Sequence, residues 1–280
     1  MTLIARSNRE ARAFASTDTN LATSALKSQI DHIVVVAHTL EQGVAWCETT
    51  LGITPEAGGE HPQFGTHNRL FKIATPSYPL AYFEIIAIKN IASKEINTPA
   101  TAKNISVSKD SKARWFDMDD DVLRAAVAKA PRLVHFVAQT EDIQAARAAL
   151  NALGIDRGPV VEASRHTRKG RLNWKITVRD DGQRLFNGAL PSLIQWGKTS
   201  EEEPLRLHPR NTLPRSGVSL HSVAISSPSA EKLQEAYSAI GLAGVSLTQA
   251  SVDAGVEART NITVTLKTPK GLVELHSHGI

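Results

Sequence analysis

Ten histidines stand against a single cysteine, Cys47, in this chain of 280 residues. An internal disulfide framework and a cysteine-based zinc site are therefore ruled out, and any metal must be held by imidazole and oxygen. Three histidines open similar apolar runs: His32-Ile-Val-Val-Val, His135-Phe-Val-Ala-Gln and His221-Ser-Val-Ala-Ile. Oxygen-bearing residues recur further along at matching places, Glu84, Gln195 and Glu274. Two imidazoles with carboxylate or amide oxygens suit an octahedral divalent ion, and two His with one carboxylate suit non-haem iron. The same groups can move protons, since imidazole titrates near neutral pH. Glu84 lies inside the apolar run Tyr82-Phe83-Glu84-Ile85-Ile86. A buried carboxylate there needs a cation, a metal or a shifted pKa.

A second group surrounds a shaped loop, Gly59-Glu60-His61-Pro62-Gln63-Phe64-Gly65-Thr66-His67-Asn68. His61 and His67 are candidates for a third ligand or a general base, and Asn68 for orienting a substrate oxygen. Arg165 can pair bidentately with a carboxylate or enolate, and Trp174 and Trp196 can wall an apolar pocket. Cys47, beside Trp46 on a helical pattern, reads as a packed thiol.

The elements that position these residues repeat three times. Each unit opens with the His-led strand and continues into an amphipathic helix with a start signal. Thr39 with Gln42 forms a capping box, Glu141 and Asp142 follow Thr140, and Pro228 follows Ser227. Each helix ends at a glycine, and His32 to Gly52, His135 to Gly154 and His221 to Gly241 span 20, 19 and 20 residues. Middle strands are expected over 66–73, 172–178 and 261–267, and closing strands over 80–88, 191–196 and 271–276. The fold class is α+β, built from βαβββ units at 29–89, 131–198 and 217–280. Residues 90–130 connect the first two, with a short helix over 121–130, and 198–216 lead to the third. Residues 1–28 read as a disordered tail without the apolar stretch of a secretory signal.

Composition excludes other classes. Net charge is only +4, basic residues are scattered, and aromatics are 5%. That is not the basic, aromatic-interleaved face of a nucleic-acid binder. No run approaches the ~20 apolar residues of a membrane span. One cysteine fits a reducing, cytoplasmic setting.

The repeat resembles the vicinal oxygen chelate superfamily of glyoxalases and extradiol dioxygenases, and within it the glyoxalase-like domain group. The residues that carry the likeness are Asp31-His32-Ile33-Val34-Val35, Gly43-Val44-Ala45-Trp46, Leu51-Gly52-Ile53, Gly59-Glu60-His61-Pro62, Gly65-Thr66-His67-Asn68 and Tyr82-Phe83-Glu84-Ile85-Ile86. It continues through Arg114-Trp115-Phe116, Leu172-Asn173-Trp174 and Leu193-Ile194-Gln195-Trp196-Gly197, covering about residues 29–198.

The resemblance implies paired units forming a curved mixed sheet with helices outside and a cleft inside. First and fourth strands would supply ligands to that cleft. If units one and two pair, His32, Glu84, His135 and Gln195 converge on a divalent ion such as Fe, Mn, Zn or Ni. If units one and three pair, His221 and Glu274 join His32 and Glu84 instead. The third unit can also pair with its copy in a homodimer. Two functions follow. One is a metal-dependent lyase, isomerase or dioxygenase that stabilises an enolate or oxyanion, with Glu84 or His67 moving the proton. The other is a metal-free module that captures a small molecule in the same cleft.

Overall fold

The computed structural model describes residues 26–89, 113–167, 169–197, 205–251 and 258–277. The expected tail, the first part of the connector after residue 89 and the acidic run 201–203 lie outside them.

The first unit runs β1 (Ser28–Val36), α1 (Leu40–Leu51), β2 (Glu56–His61), β3 (Thr66–Lys72) and β4 (Tyr82–Ile88). The connector supplies α2 (Asp121–Lys129). The second unit runs β5 (Arg132–Thr140), α3 (Ile143–Ala152), β6 (Val160–Thr167), β7 (Gly170–Thr177) and β8 (Ser192–Trp196). A short helical turn, α4 (Pro209–Thr212), precedes the third unit. That unit is β9 (Ser219–Ser227), α5 (Ala230–Ala239), β10 (Leu242–Ala243), β11 (Ser246–Gln249), β12 (Asn261–Thr268) and β13 (Gly271–His276).

Local signals explain the helix limits. Thr39 accepts from Gln42 N–H while Gln42 Oε1 accepts from His38 N–H, a reciprocal cap on α1. Asp142 caps α3 by accepting from the N–H groups of Gln144 and Ala145. Gly52, Gly154 and Gly241 all have positive φ, so each helix stops where only glycine turns cheaply.

Units one and two share one curved mixed sheet in the order β2-β3-β4-β1-β5-β8-β7-β6. Its centre is the antiparallel pair β1–β5, flanked by parallel β4 and β8. The third unit forms a separate sheet, β11-β9-β12-β13, and only β10 joins the main sheet, beside the start of β1.

Two apolar clusters lie on opposite faces. The outer one joins Ile33, Val35 and Phe136 to Leu51 of α1, Leu150 of α3, Leu233 of α5 and Val223, Ile262 and Leu266 of the third unit's sheet. The inner one lines the cleft with Val34, Val36, Tyr82, Trp115, Trp174, Ile194 and Trp196. Alternation along the strands sorts side chains between the two. Helix α2 helps close the cleft by adding Leu123 and Val127 to the inner cluster. No helix among the described residues is long and apolar enough to cross a membrane.

Candidate active site

The site starts from a bulge. In the β1–β5 ladder Ile30 pairs with Ala138 and His32 with Val137, so Asp31 has no partner. A bulge re-aims side chains that strict alternation would send to opposite faces. Asp31, fully buried, becomes a hub. His32 Nδ1–H donates to its Oδ1 at 2.7 Å, while Trp196 Nε1–H and His208 Nε2–H donate to its Oδ2 at 2.8 and 3.0 Å. Arg210 N–H donates to His208 Nδ1, which fixes the His208 tautomer. Burial alone would raise the Asp31 pKa, but the His208 and His32 partners outweigh it and hold the carboxyl well below the usual range.

With Nδ1 committed to Asp31, His32 turns Nε2 toward Glu84, whose Oε2 lies 3.5 Å away. Both residues are about one-twentieth exposed, at 4% and 5%. Asn68 Nδ2 donates to Glu84 Oε1 at 2.6 Å, and Asn68 Oδ1 accepts from Gly59 N–H at 2.7 Å. Tyr82 stacks on the His32 ring at 4.6 Å. Its phenol is pushed up by burial and by the charges of Asp31 and Glu84. His61 enters from β2, with Nδ1 3.1 Å from Thr66 Oγ1 and its ring edge-on to Trp115 and Trp174. Burial, helped by Arg165, lowers its pKa to about 3, so it is a neutral imidazole at working pH.

These groups surround one cavity, with Arg165, Trp174, Trp196, Trp115 and Pro209 completing its walls. Of the residues singled out from sequence, His32, Glu84, His61, Asn68, Arg165, Trp174 and Trp196 line it.

The others do not. His67 alternates with Thr66 and Asn68 and turns outward, where Glu41, Glu60 and Lys89 face it. His135 is sealed: Nδ1–H donates to Gly188 O at 2.8 Å, and Nε2 accepts from Ser192 N–H at 3.0 Å. Burial and the Arg157 charge push its pKa well down. Gln195 belongs to the opposite face of β8, where its Oε1 accepts from Ile143 N–H at the start of α3. Its expected match to Glu84 is three residues out of register. Val34 pairs with Glu84 in the first unit, and Val137 pairs with Ser192 in the second. Ser192 is therefore the true counterpart, and its hydroxyl accepts from buried Arg157. His221 and Glu274 sit at exposed positions of the separate sheet, away from the cavity lining.

The four-ligand set expected from sequence is thus not assembled, and neither is its third-unit alternative. His32 and Glu84 offer two donors, and among the described residues no group of three His, Cys, Asp or Glu is gathered to hold a metal. Catalytic zinc takes three protein ligands. The donors present do not fit a divalent centre. Sequence reasoning also missed Asp31 as a hub, Tyr82 and His208. The adjacent Asp31-His32 pair inside an apolar strand was the available signal; nothing marked His208.

A family model described as a glyoxalase-like domain matches residues 30–241. The chain belongs to the glyoxalase-like domain family. That family is part of the vicinal oxygen chelate superfamily, and the paired βαβββ units agree with it. None of the curated proteins matches the chain. Among solved structures, this glyoxalase-like chain is similar to a hypothetical protein from Staphylococcus aureus, at 15% identity and TM-score 0.46, covering 89% of this chain and 84% of that one. It is also similar to a methylmalonyl-CoA epimerase variant from Streptomyces coelicolor, at 17% identity and TM-score 0.36, covering 64% and 100%. A variant of 4-hydroxymandelate synthase from the same organism follows at 11% identity and TM-score 0.41, covering 90% and 63%.

Proposed function

We propose that this glyoxalase-like protein is a proton-transfer enzyme of isomerase or lyase type acting on a small oxygenated organic anion. The observation that carries the reading is His32 Nε2 facing Glu84 Oε2 at 3.5 Å in an aromatic-walled cavity, with the far side of the imidazole locked by Asp31. One partner can give a proton as the other takes one.

Glu84 removes the proton from a carbon next to the substrate carbonyl. The C–H electron pair moves to the carbonyl oxygen and gives an enolate. Its charge is met by the His32 proton and by Arg165. Return of a proton to carbon completes an isomerisation, and loss of a neighbouring leaving group completes an elimination. Tyr82 and the indoles keep bulk water out, which strengthens each polar contact. No step is routed through a metal, because among the described residues no three His, Cys, Asp or Glu are gathered at one point. The metal-free capture module keeps support from the same walls, since Arg165 and three tryptophans suffice to bind without chemistry.

Proton exchange in deuterated water separates the two. A panel of 2-oxo acids is followed by NMR for loss of the C3 proton signal. The expected result is exchange by the wild type and a fall of about a hundredfold or more in both Glu84→Gln and His32→Asn. Binding without exchange anywhere in the panel, or exchange untouched by both variants, overturns the proton-transfer reading.

A further inference from the structure

The inner cavity opens outward into a much larger chamber. The inner space is about 40 Å³ and the outer about 900 Å³. The inner one admits only a compact group. Leu70, Arg165 and Pro209 line both spaces and so form the throat between them. The outer walls come from Glu56 to Glu60 of β2, both carboxylates included, Ser164 to Thr167 of β6, and Thr212 to Pro214 at the end of α4.

Arg165 is half-buried at this throat, yet its guanidinium has no hydrogen-bond or ion-pair partner among the described residues. It is seated there by a glycine: a Cβ on Gly59 would lie 2.3 Å from Nη1. A cation held at a constriction without a counter-ion is a place for an anion.

We infer that the substrate is branched at the throat: a compact oxygenated head lies in the inner cavity, and from it a carboxylate reaches Arg165 while a longer tail runs past it into the outer chamber. This rests on the proton-transfer reading of the inner cavity and extends it to substrate class. Beyond its first carbon the tail supplies binding surface in the outer chamber, so its energy holds the head in place.

Trp115, Trp174 and Trp196 line the inner cavity and report its occupancy by fluorescence. The full chain is titrated with pyruvate, 2-oxooctanoate and 2-oxo-4-phenylbutanoate. The two long acids are expected to bind about tenfold or more tightly than pyruvate. Thr212→Phe, an exposed change in the outer chamber, is expected to erase that gain and leave pyruvate binding within about twofold. Arg165→Met weakens all three. Quenching by none of the acids, a gain below about twofold, or a gain that survives Thr212→Phe overturns the inference. Exchange at C3, read in parallel, keeps the two ideas apart. Tail-dependent binding without exchange overturns only the proton-transfer reading, and exchange without a tail effect overturns only this one.

Discussion

Trp196 and Asp31 lie 165 residues apart and meet in a 2.8 Å hydrogen bond from the indole Nε1 to Oδ2. This contact ties the last strand of the second unit to the first strand of the first, and it does so through the residue that orients His32. Asp31→Asn keeps the shape but turns an NH2 toward at least one of three buried N–H donors. The expected loss is about 3 kcal/mol or more, because buried donors are left unmatched beside a lost charge-assisted network. Urea denaturation at neutral pH measures it. Trp196→Phe removes one donor only and should cost about 1–2 kcal/mol. Equal stability of Asp31→Asn and wild type would remove the hub from the account.

Acid should unfold the protein earlier than its carboxylates alone require. The folded pKa of His61 is about 3, below the ordinary imidazole value of 6.5. Between those values the unfolded chain binds more protons, so stability falls as pH drops through 6.5 toward 3. His61 alone accounts for on the order of 2 kcal/mol lost at pH 5, and His135 shifts in the same direction. Asp31 has the same sign but acts only below about pH 4. Denaturation midpoints across this range should slope steadily, and His61→Gln should flatten the slope by about 1.4 kcal/mol per pH unit. A curve that is flat above pH 5 contradicts the burial of both rings.

Gly58 and Gly59 serve different neighbours. A Cβ on Gly58 would lie 2.0 Å from Asn68 Oδ1 and 2.6 Å from the Asn68 carbonyl oxygen. Backbone cannot step aside, so Gly58→Ala should cost about 1–3 kcal/mol and loosen the Asn68 hold on Glu84. At Gly59 the obstacle is the mobile end of Arg165. Gly59→Ala should leave stability within about 0.5 kcal/mol and weaken anion binding. Calorimetry with pyruvate, beside a thermal melt, reads both effects.

The third unit's candidates should prove inert in the cleft. His221→Ala with Glu274→Ala is expected to leave C3 exchange unchanged and stability within about 0.5 kcal/mol. Gln195→Ala, by contrast, should cost about 1 kcal/mol, because its oxygen caps the start of α3. A fall in exchange in the double variant, with Gln195→Ala silent, would reverse these assignments.

Much of the scaffold was legible because its signals are local. The His-to-Gly spacing marks strand, helix and stop three times over, and caps and turns need only their neighbours. His32 and Glu84 could be paired because an acid inside Tyr82-Phe83-Glu84-Ile85-Ile86 is costly anywhere else. Register was not legible. Gln195 and Ser192 differ by an odd number of positions, which exchanges the cleft for the outer face, and apolar neighbours on both sides hide the error. Bulges were equally invisible. In the β9–β12 ladder the unpaired residue is His221, since Thr265 pairs with Ser222 and Leu266 with Leu220. His221 thus leaves the ladder at an exposed position. His208 could not be foreseen, because its partner is 177 residues away and its surroundings read as a loop.

The two-residue strand β10 pairs with Ser28 and Gln29, at the start of the strand that carries His32. The outer apolar cluster then runs without a break from α1 and α3 into β9 and β12. The three units are therefore expected to melt as one in calorimetry, not as separate modules. A chain ending before residue 217 would leave Leu51, Leu150 and the outer side of β1 facing water. The final unit holds none of the proposed chemistry, yet it covers the outer side of the strand that does.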